Sequence, residues 1–215
     1  MSGLDQFLSQ SVESKITKNL GKNAIRKIEK RLFEKYGLSL TQSINQFQKL
    51  DSVLREYFGA GADGIEEECF KNICSLKNNS GNDEKRTKPT KIESTKWIII
   101  KDPILTESIL DLVGDSDKKR IFESVTDKSK TVYDIISECN IPQTSGYRKV
   151  NSLIKNGILS ISGYFETHDG KKVNKYKSTF QNMRINIIKN QVTVSIQLNG
   201  QNITDSSIIL AMTEL

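Results

Sequence analysis

The 215 residues predict an α+β chain, with helices in the first third and helices giving way to hairpin strands after the middle. Three observations carry that prediction. Apolar residues recur at helix spacing as far as Leu76, the apolar period falls to two after Gly157, and turn signals at Asp169-Gly170 and Lys189-Asn190-Gln191 separate the alternating runs.

Taken in order, Leu4, Phe7-Leu8, Val12 and Ile16 form an amphipathic stripe, read as a first helix or a dimerising arm. Ala24-Ile25, Ile28, Leu32-Phe33 and Tyr36 continue at helix spacing, and Gly37 is the stop signal. Leu50, Val53-Leu54 and Tyr57-Phe58 make the next stripe, ended by Gly59. A further helix is expected from Asp63, with that carboxylate as its cap, through Ile65, Cys69-Phe70, Ile73 and Leu76. Residues 77–91 carry no large apolar side chain and are rich in Asn, Ser, Gly, Lys and Pro, the composition of a solvated linker. The expected division is therefore an all-helical interaction domain at 1–76, a linker at 77–95, a second domain at 96–180, and a hairpin with tail at 181–215.

Within the second domain, Trp97 to Ile100 is a strand-sized run, and Ile104 to Val113 is a strand or short helix. Asp115-Ser116-Asp117 caps a helix over Lys118 to Val125. Thr131 with Asp134 makes a capping box that opens a short helix. Asn140-Ile141-Pro142 turns the chain into a longer helix that ends at Gly157. Two hairpins follow, one turning at Asp169-Gly170 and one around Lys189-Asn190-Gln191.

The net charge of +6 is unevenly spread. From Asp102 to Ile141 there are 5 basic and 9 acidic residues, whereas from Pro142 to Phe180 there are 7 and 2. A local excess of that sign suits contact with phosphates. Nothing else points to another class. No apolar run is long enough to span a membrane, and the N-terminus has no export pattern, so a cytoplasmic, membrane-free protein is expected. Cys69, Cys74 and Cys139 match neither a disulfide framework nor a zinc site and are read as buried thiols. His168, the one histidine, sits in a turn. The glycine-rich run at Gly59 to Gly64 is followed by Glu66, Glu67 and Glu68, which repel an anion. No enzyme, metal or cofactor is expected.

Helix, short helix, turn, longer helix and basic hairpin, in that order, make a winged helix-turn-helix spanning Asp115 to Thr179. On the longer helix, Gly146, Val150, Leu153 and Ile154 share one side. Gln143, Thr144, Ser145, Tyr147, Arg148, Asn151 and Lys155 share the other. Gln143, Thr144, Ser145 and Arg148, at the end that points into a groove, are the expected base readers. Tyr147, Lys149, Asn151 and Lys155, with Lys171, Lys172, Lys175 and Lys177 of the wing, are the expected backbone contacts. Helix and wing are expected to form one continuous positive surface.

The stretch from Thr131 to Ile187 resembles archaeal ArsR-like winged-helix regulators. The likeness rests on Pro142 before a helix with Tyr147-Arg148, the Gly157-Ile158-Leu159 exit, and the return strand Lys175-Tyr176-Lys177-Ser178. That resemblance implies sequence-specific binding of duplex DNA as a homodimer. Metal-sensing members carry a Cys-bearing pair before the recognition helix, where this chain has Cys139 alone. Gly146 stands where a branched residue is usual and suits close packing. Residues 24–67, punctuated by Tyr36-Gly37-Leu38-Ser39 and Phe58-Gly59-Ala60-Gly61-Ala62, resemble a helical output domain of ammonia-oxidising archaea. The expected function is a DNA-binding transcription regulator with a protein partner possible through 1–76. A protein-interaction adaptor of the transcription machinery and an RNA-binding winged-helix protein are the alternatives.

Overall fold

Leu4, Phe7, Leu8, Val12 and Ile16 return every three or four residues, and all five are buried along the first helix of the computed structural model, α1 (Gly3–Tyr36). Residues 3–77, 96–198 and 204–214 are described. α1 breaks at Gly21, whose φ of 74° and ψ of 164° are not helical, so the stripe before it and the one after it run in different directions. The sequence left open whether the first stripe is an arm. It is instead core, and each side chain of that size contributes roughly 1.5–3 kcal/mol on burial.

Gly37 ends α1 as expected, its amide donating to Phe33 O at 2.9 Å. A short α2 (Leu40–Ile44) follows, opened by a capping box between Ser39 and Gln42 that was missed in the sequence. α3 (Phe47–Phe58) and α4 (Gly61–Lys71) pack against α1. Asp63 does not cap α4. It lies inside the first turn and pairs with Arg55 of α3. The helix also stops earlier than expected, because residues 74–77 are a strand, β1 (Cys74–Lys77).

β1 pairs antiparallel with β2 (Lys96–Ile100), in the register Cys74↔Ile100. The helical region is thus not all-helical, and its last segment shares a sheet with the residues across the expected linker. Most of that linker, from residue 78, lies outside the described residues. The sheet order is β1-β2-β7-β6, where β6 (Asn182–Ile188) and β7 (Gln191–Leu198) are the expected C-terminal hairpin. Lys189 and Asn190 turn it with φ of 48° and 63°, a two-residue turn whose twist matches the strands. The stretch read as a tail contains α9 (Ser207–Glu214), with Ile208 and Ile209 fully buried.

After β2 come α5 (Pro103–Gly114), α6 (Ser116–Ser124), a two-residue β3 (Lys130–Thr131), α7 (Val132–Glu138) and α8 (Gln143–Lys155). β4 (Leu159–Glu166) and β5 (Lys172–Ser178) close a second sheet of order β3-β5-β4. The fold class is α+β, a helical N-terminal region followed by antiparallel strands. Phe180 joins the parts: its ring meets Phe122 of α6 at 5.3 Å and Phe7 of α1 at 5.9 Å.

Two buried carboxylates hold α1 in place. Asp102 caps α5 by accepting from Ile104 N at 3.0 Å and Leu105 N at 3.4 Å, and it also accepts from Ser11 Oγ at 2.7 Å and meets Lys15 Nζ at 3.3 Å. Asp5 caps α9 from a distant part of the chain, accepting from Ser206 Oγ, from Ser207 N at 3.1 Å and from Ile208 N at 3.2 Å. Replacing Asp5 by Ala leaves those donors buried without an acceptor. Denaturant titration should show a loss of about 2 kcal/mol; an unchanged midpoint would show that α9 docks without this cap.

Glu66 of α4 is only 4% exposed. Burial, and next the negative charge of Asp51, push its carboxyl up to about 8 from 4.5. Between those values the folded protein keeps a proton that the unfolded chain has released, so folding weakens as pH rises. Glu66→Gln removes this dependence. Its melting temperature should gain on the wild type by roughly 3 °C or more between about pH 5 and pH 8, the shift that about 1 kcal/mol makes in a chain of this size. Parallel melting curves at the two pH values would disprove the assignment.

Candidate nucleic-acid interface

α7 and α8 meet through a tight turn. Thr131 and Asp134 form the expected capping box, Asp134 N donating to Thr131 Oγ1 at 3.2 Å and Thr131 N donating to Asp134 Oδ2 at 3.3 Å. The chain leaves α7 through Asn140, at φ 50°, and Ile141 N closes back on Ile136 O at 3.2 Å. Pro142 stands one residue before α8, not in it, and supplies no side-chain cap to that helix's first amides.

Gly146 explains how close the two helices lie. A methyl group there would sit 2.8 Å from Ile136 Cγ1 and 2.9 Å from Cγ2, well inside normal contact. Gly157 does a second job at the other end of α8. It holds φ at +69°, and a methyl group would come within 2.3 Å of Phe7 N. Backbone cannot yield as a side chain can, so this glycine fixes α1 against the exit from α8. Gln6 Nε2 donates to Ile154 O at 2.9 Å across the same junction.

With Gly146, Val150 and Leu153 turned inward, the opposite side of α8 is open. Gln143, Thr144, Tyr147, Arg148, Asn151 and Lys155 are exposed, and Ser145 is half-buried. The division into two sides follows the helix spacing, and the expected backbone contact at Lys149 is the departure. Lys149 is not an outward cation. Its Nζ lies 2.6 Å from Asp115 Oδ1 and 2.9 Å from Asp117 Oδ2, and its side chain is 15% exposed. Asp115 also caps α6, accepting from Asp117 N at 2.9 Å and Lys118 N at 3.1 Å. Lys149 therefore ties α8 to the start of α6. Hydrogen bonding with Lys149 pulls both carboxyls below the ordinary value, and the two carboxylates raise the lysine in turn.

The lysines of the β4–β5 hairpin and its loop are not one surface either. Partners across an antiparallel pair share a face and alternate along the strand. Lys172 faces the same way as Tyr164, and its Nζ lies 4.6 Å from that ring's centre. Lys175 and Lys177 face the opposite way, with Lys175 Nζ 5.8 Å from the Phe165 ring. The face bearing Lys177 is the one that Gly3 of α1 touches at Ser160. Lys171 lies in the exposed loop, whose ends are held by Thr167 N donating to Lys171 O at 2.9 Å. Among the described residues, Arg148, Lys155, Lys171 and Lys177 form no ion pair.

Two side chains that the sequence reading passed over belong with this group. Tyr164 is 56% and Phe165 50% exposed. Neighbours in a strand point to opposite faces, so two adjacent aromatics toward the loop end of the hairpin, beyond the part that α1 and α8 cover, both meet solvent. That signal was present in the sequence. All three cysteines are buried, as expected, and burial pushes Cys69 and Cys74 up to about 12. No group of three or more metal-binding side chains converges among the described residues, and none of their helices is long and apolar enough to cross a membrane. Compared with protein-family models, with curated proteins and with solved structures, the chain matches none.

Lys149→Ala tests the inward assignment. Stability should fall by on the order of 1 kcal/mol. This ion pair's contribution is full above about the ordinary carboxyl value of 3.8 and fades as acid titrates the depressed Asp115 and Asp117, so the difference between variant and wild type should shrink in acid. Equal denaturation midpoints for the two proteins near neutral pH would contradict it.

Proposed function

We propose that the chain is a DNA-binding transcription regulator of the cytoplasm, acting as a homodimer. It uses α7 and α8 as a helix-turn-helix and β4–β5 as a wing. The observation that carries this reading is the split of α8: one side is seated on α6 and α7, while a row of exposed polar and basic side chains faces outward. The order α6, β3, α7, α8, β4, β5 suits a winged helix, as does the likeness of residues 131–187 to archaeal ArsR-like regulators.

In this reading Gln143, Thr144, Ser145 and Arg148 enter the major groove at the start of α8. Gln bonds adenine and Arg bonds guanine, each by two hydrogen bonds. Tyr147, Asn151 and Lys155 meet the backbone beside them, and the uncapped amides of the first turn favour a phosphate there. Of the wing, Lys171 and Lys172 are exposed at the loop end, while the half-buried Lys175 and Lys177 supply positive charge on the other face. Lys149 has no part in binding. The β6 edge, with Ile187 69% and Ile188 68% exposed, is the surface available for a second copy. A protein partner would meet the exposed side chains of α1 to α4, since the stripe from Leu4 to Ile16 is core.

Exposed Tyr164 and Phe165, each beside a lysine, favour one second reading, the stacking of unpaired bases as in single-stranded RNA. A duplex reader and a single-strand reader separate in one titration series.

Fluorescence anisotropy with random and selected duplexes across a salt range tests the proposal. Removing Lys171 or Lys172 should weaken binding to all sequences and reduce the salt slope by about 1 each, whereas Lys149→Ala should leave that slope unchanged. Arg148→Ala should cost about 1–3 kcal/mol at one base position and relax preference there. No salt-dependent duplex binding at micromolar protein would refute the reading, and tighter binding to single-stranded RNA would replace it with the second.

A further inference from the structure

Between α3, α4 and the start of α9 lies a cavity of about 670 Å³, a size that admits a small molecule. Its wall is markedly acidic. Asp51 comes from α3, Asp63, Glu66 and Glu67 from α4, and Asp205 from the approach to α9. Arg55 is the single basic side chain in that wall, and it is already engaged by both Asp51, at 2.7 Å, and Asp63. Glu66, Glu67 and Asp205 thus have no basic counterpart within the wall.

Glu66 separates this cavity from an ordinary acidic surface. The residue lies in the interior, and its Oε1 has no hydrogen-bond partner among the described residues. A buried acceptor of this kind is satisfied by a donor that arrives from elsewhere. The carboxylates do not converge as metal ligands do, since no group of three that could hold an ion occurs among the described residues. An anion is repelled by the same charges. Phe47 and Leu210 add an apolar margin to the wall. Ammonium for the carboxyls and methylenes for the margin is the complement of that lining.

We propose that this cavity binds a small organic cation, a primary alkyl amine whose ammonium group donates to Glu66 and Asp51 while its carbon chain lies against Phe47 and Leu210. The site shares no residue with the α8 surface, so the proposal stands or falls independently of duplex binding. Binding replaces the proton of Glu66 with the ammonium charge, so affinity rises with pH as that carboxyl ionises. The titratable groups facing it are Asp51 and Arg55 from α3, Asp63 and Glu67 from α4, and Asp205 before α9.

Isothermal titration of the full chain tests this with 1,4-diaminobutane and n-butylamine as probes, n-butanol as the uncharged control, and ionic strength matched with sodium chloride. The amines should saturate one site at about millimolar Kd or tighter, and n-butanol should not bind. Glu66→Gln keeps the shape of the side chain and, by the pH argument above, folds at least as well at neutral pH. It should weaken both amines roughly tenfold or more. Absence of saturable amine binding, equal binding of n-butanol, or equal affinity in Glu66→Gln would each overturn the proposal.

Discussion

The structure depends on where the first half of α1 goes. Its five apolar side chains are driven inward by burial, and at its ends the polar groups Asp5, Ser11 and Lys15 fix position and register. Through Asp5 the helix holds α9, and through Ser11 and Lys15 it holds Asp102 at the head of α5. Through Phe7 it occupies the space that Gly157 leaves open at the end of α8. Each contact links residues far apart in sequence. With α6 and α7 packed along one side of α8 and α1 held against its C-terminal end, the remaining side is the one left to solvent.

Charge follows the same architecture. Seven basic residues between Pro142 and Phe180 suggested a uniform positive patch, yet position divides them into different roles. Lys149 is consumed by Asp115 and Asp117, where it ties two helices together. Lys175 and Lys172 lie on opposite faces of one strand and each rests over an aromatic ring. Arg148, Lys155 and Lys171 are exposed and form no ion pair among the described residues, the character that phosphate contact requires. Net charge counted along a sequence cannot make this distinction, because it depends on which carboxylates the fold brings within reach.

Local signals were legible in the sequence, and long-range ones were not. The stop at Gly37, the Thr131–Asp134 capping box, the turn after Asn140, the two sides of α8 and both hairpins are set by neighbours within a few residues, and each is found where the pattern puts it. The strand at Cys74 was hidden because its partner, β2, lies across residues 78–95, and a four-residue run carries little periodicity of its own. Leu4 to Ile16 announced an amphipathic helix without announcing what would cover it. Helix α9 was missed since Asp5, its cap, comes from the opposite end of the chain. For the candidate site, the side chains of α8 that helix spacing places outward are exposed, apart from the half-buried Ser145. The pairing of Lys149 is not legible in the sequence, because the Asp115-Ser116-Asp117 cluster that holds it lies more than thirty residues away and reads locally as a helix cap.

The acidic cavity and the basic helix give the molecule two chemically opposed surfaces on separate elements, one formed by α3, α4 and α9 and the other by α8 with the β4–β5 hairpin. Amide hydrogen exchange with and without duplex DNA tests the central claim most directly, since it reads every element at once. Slowed exchange is expected in Gln143–Lys155 and in the loop between Glu166 and Lys172, with α3 and α4 unchanged. Protection confined to α3 and α4, or none anywhere at saturating duplex, would contradict it.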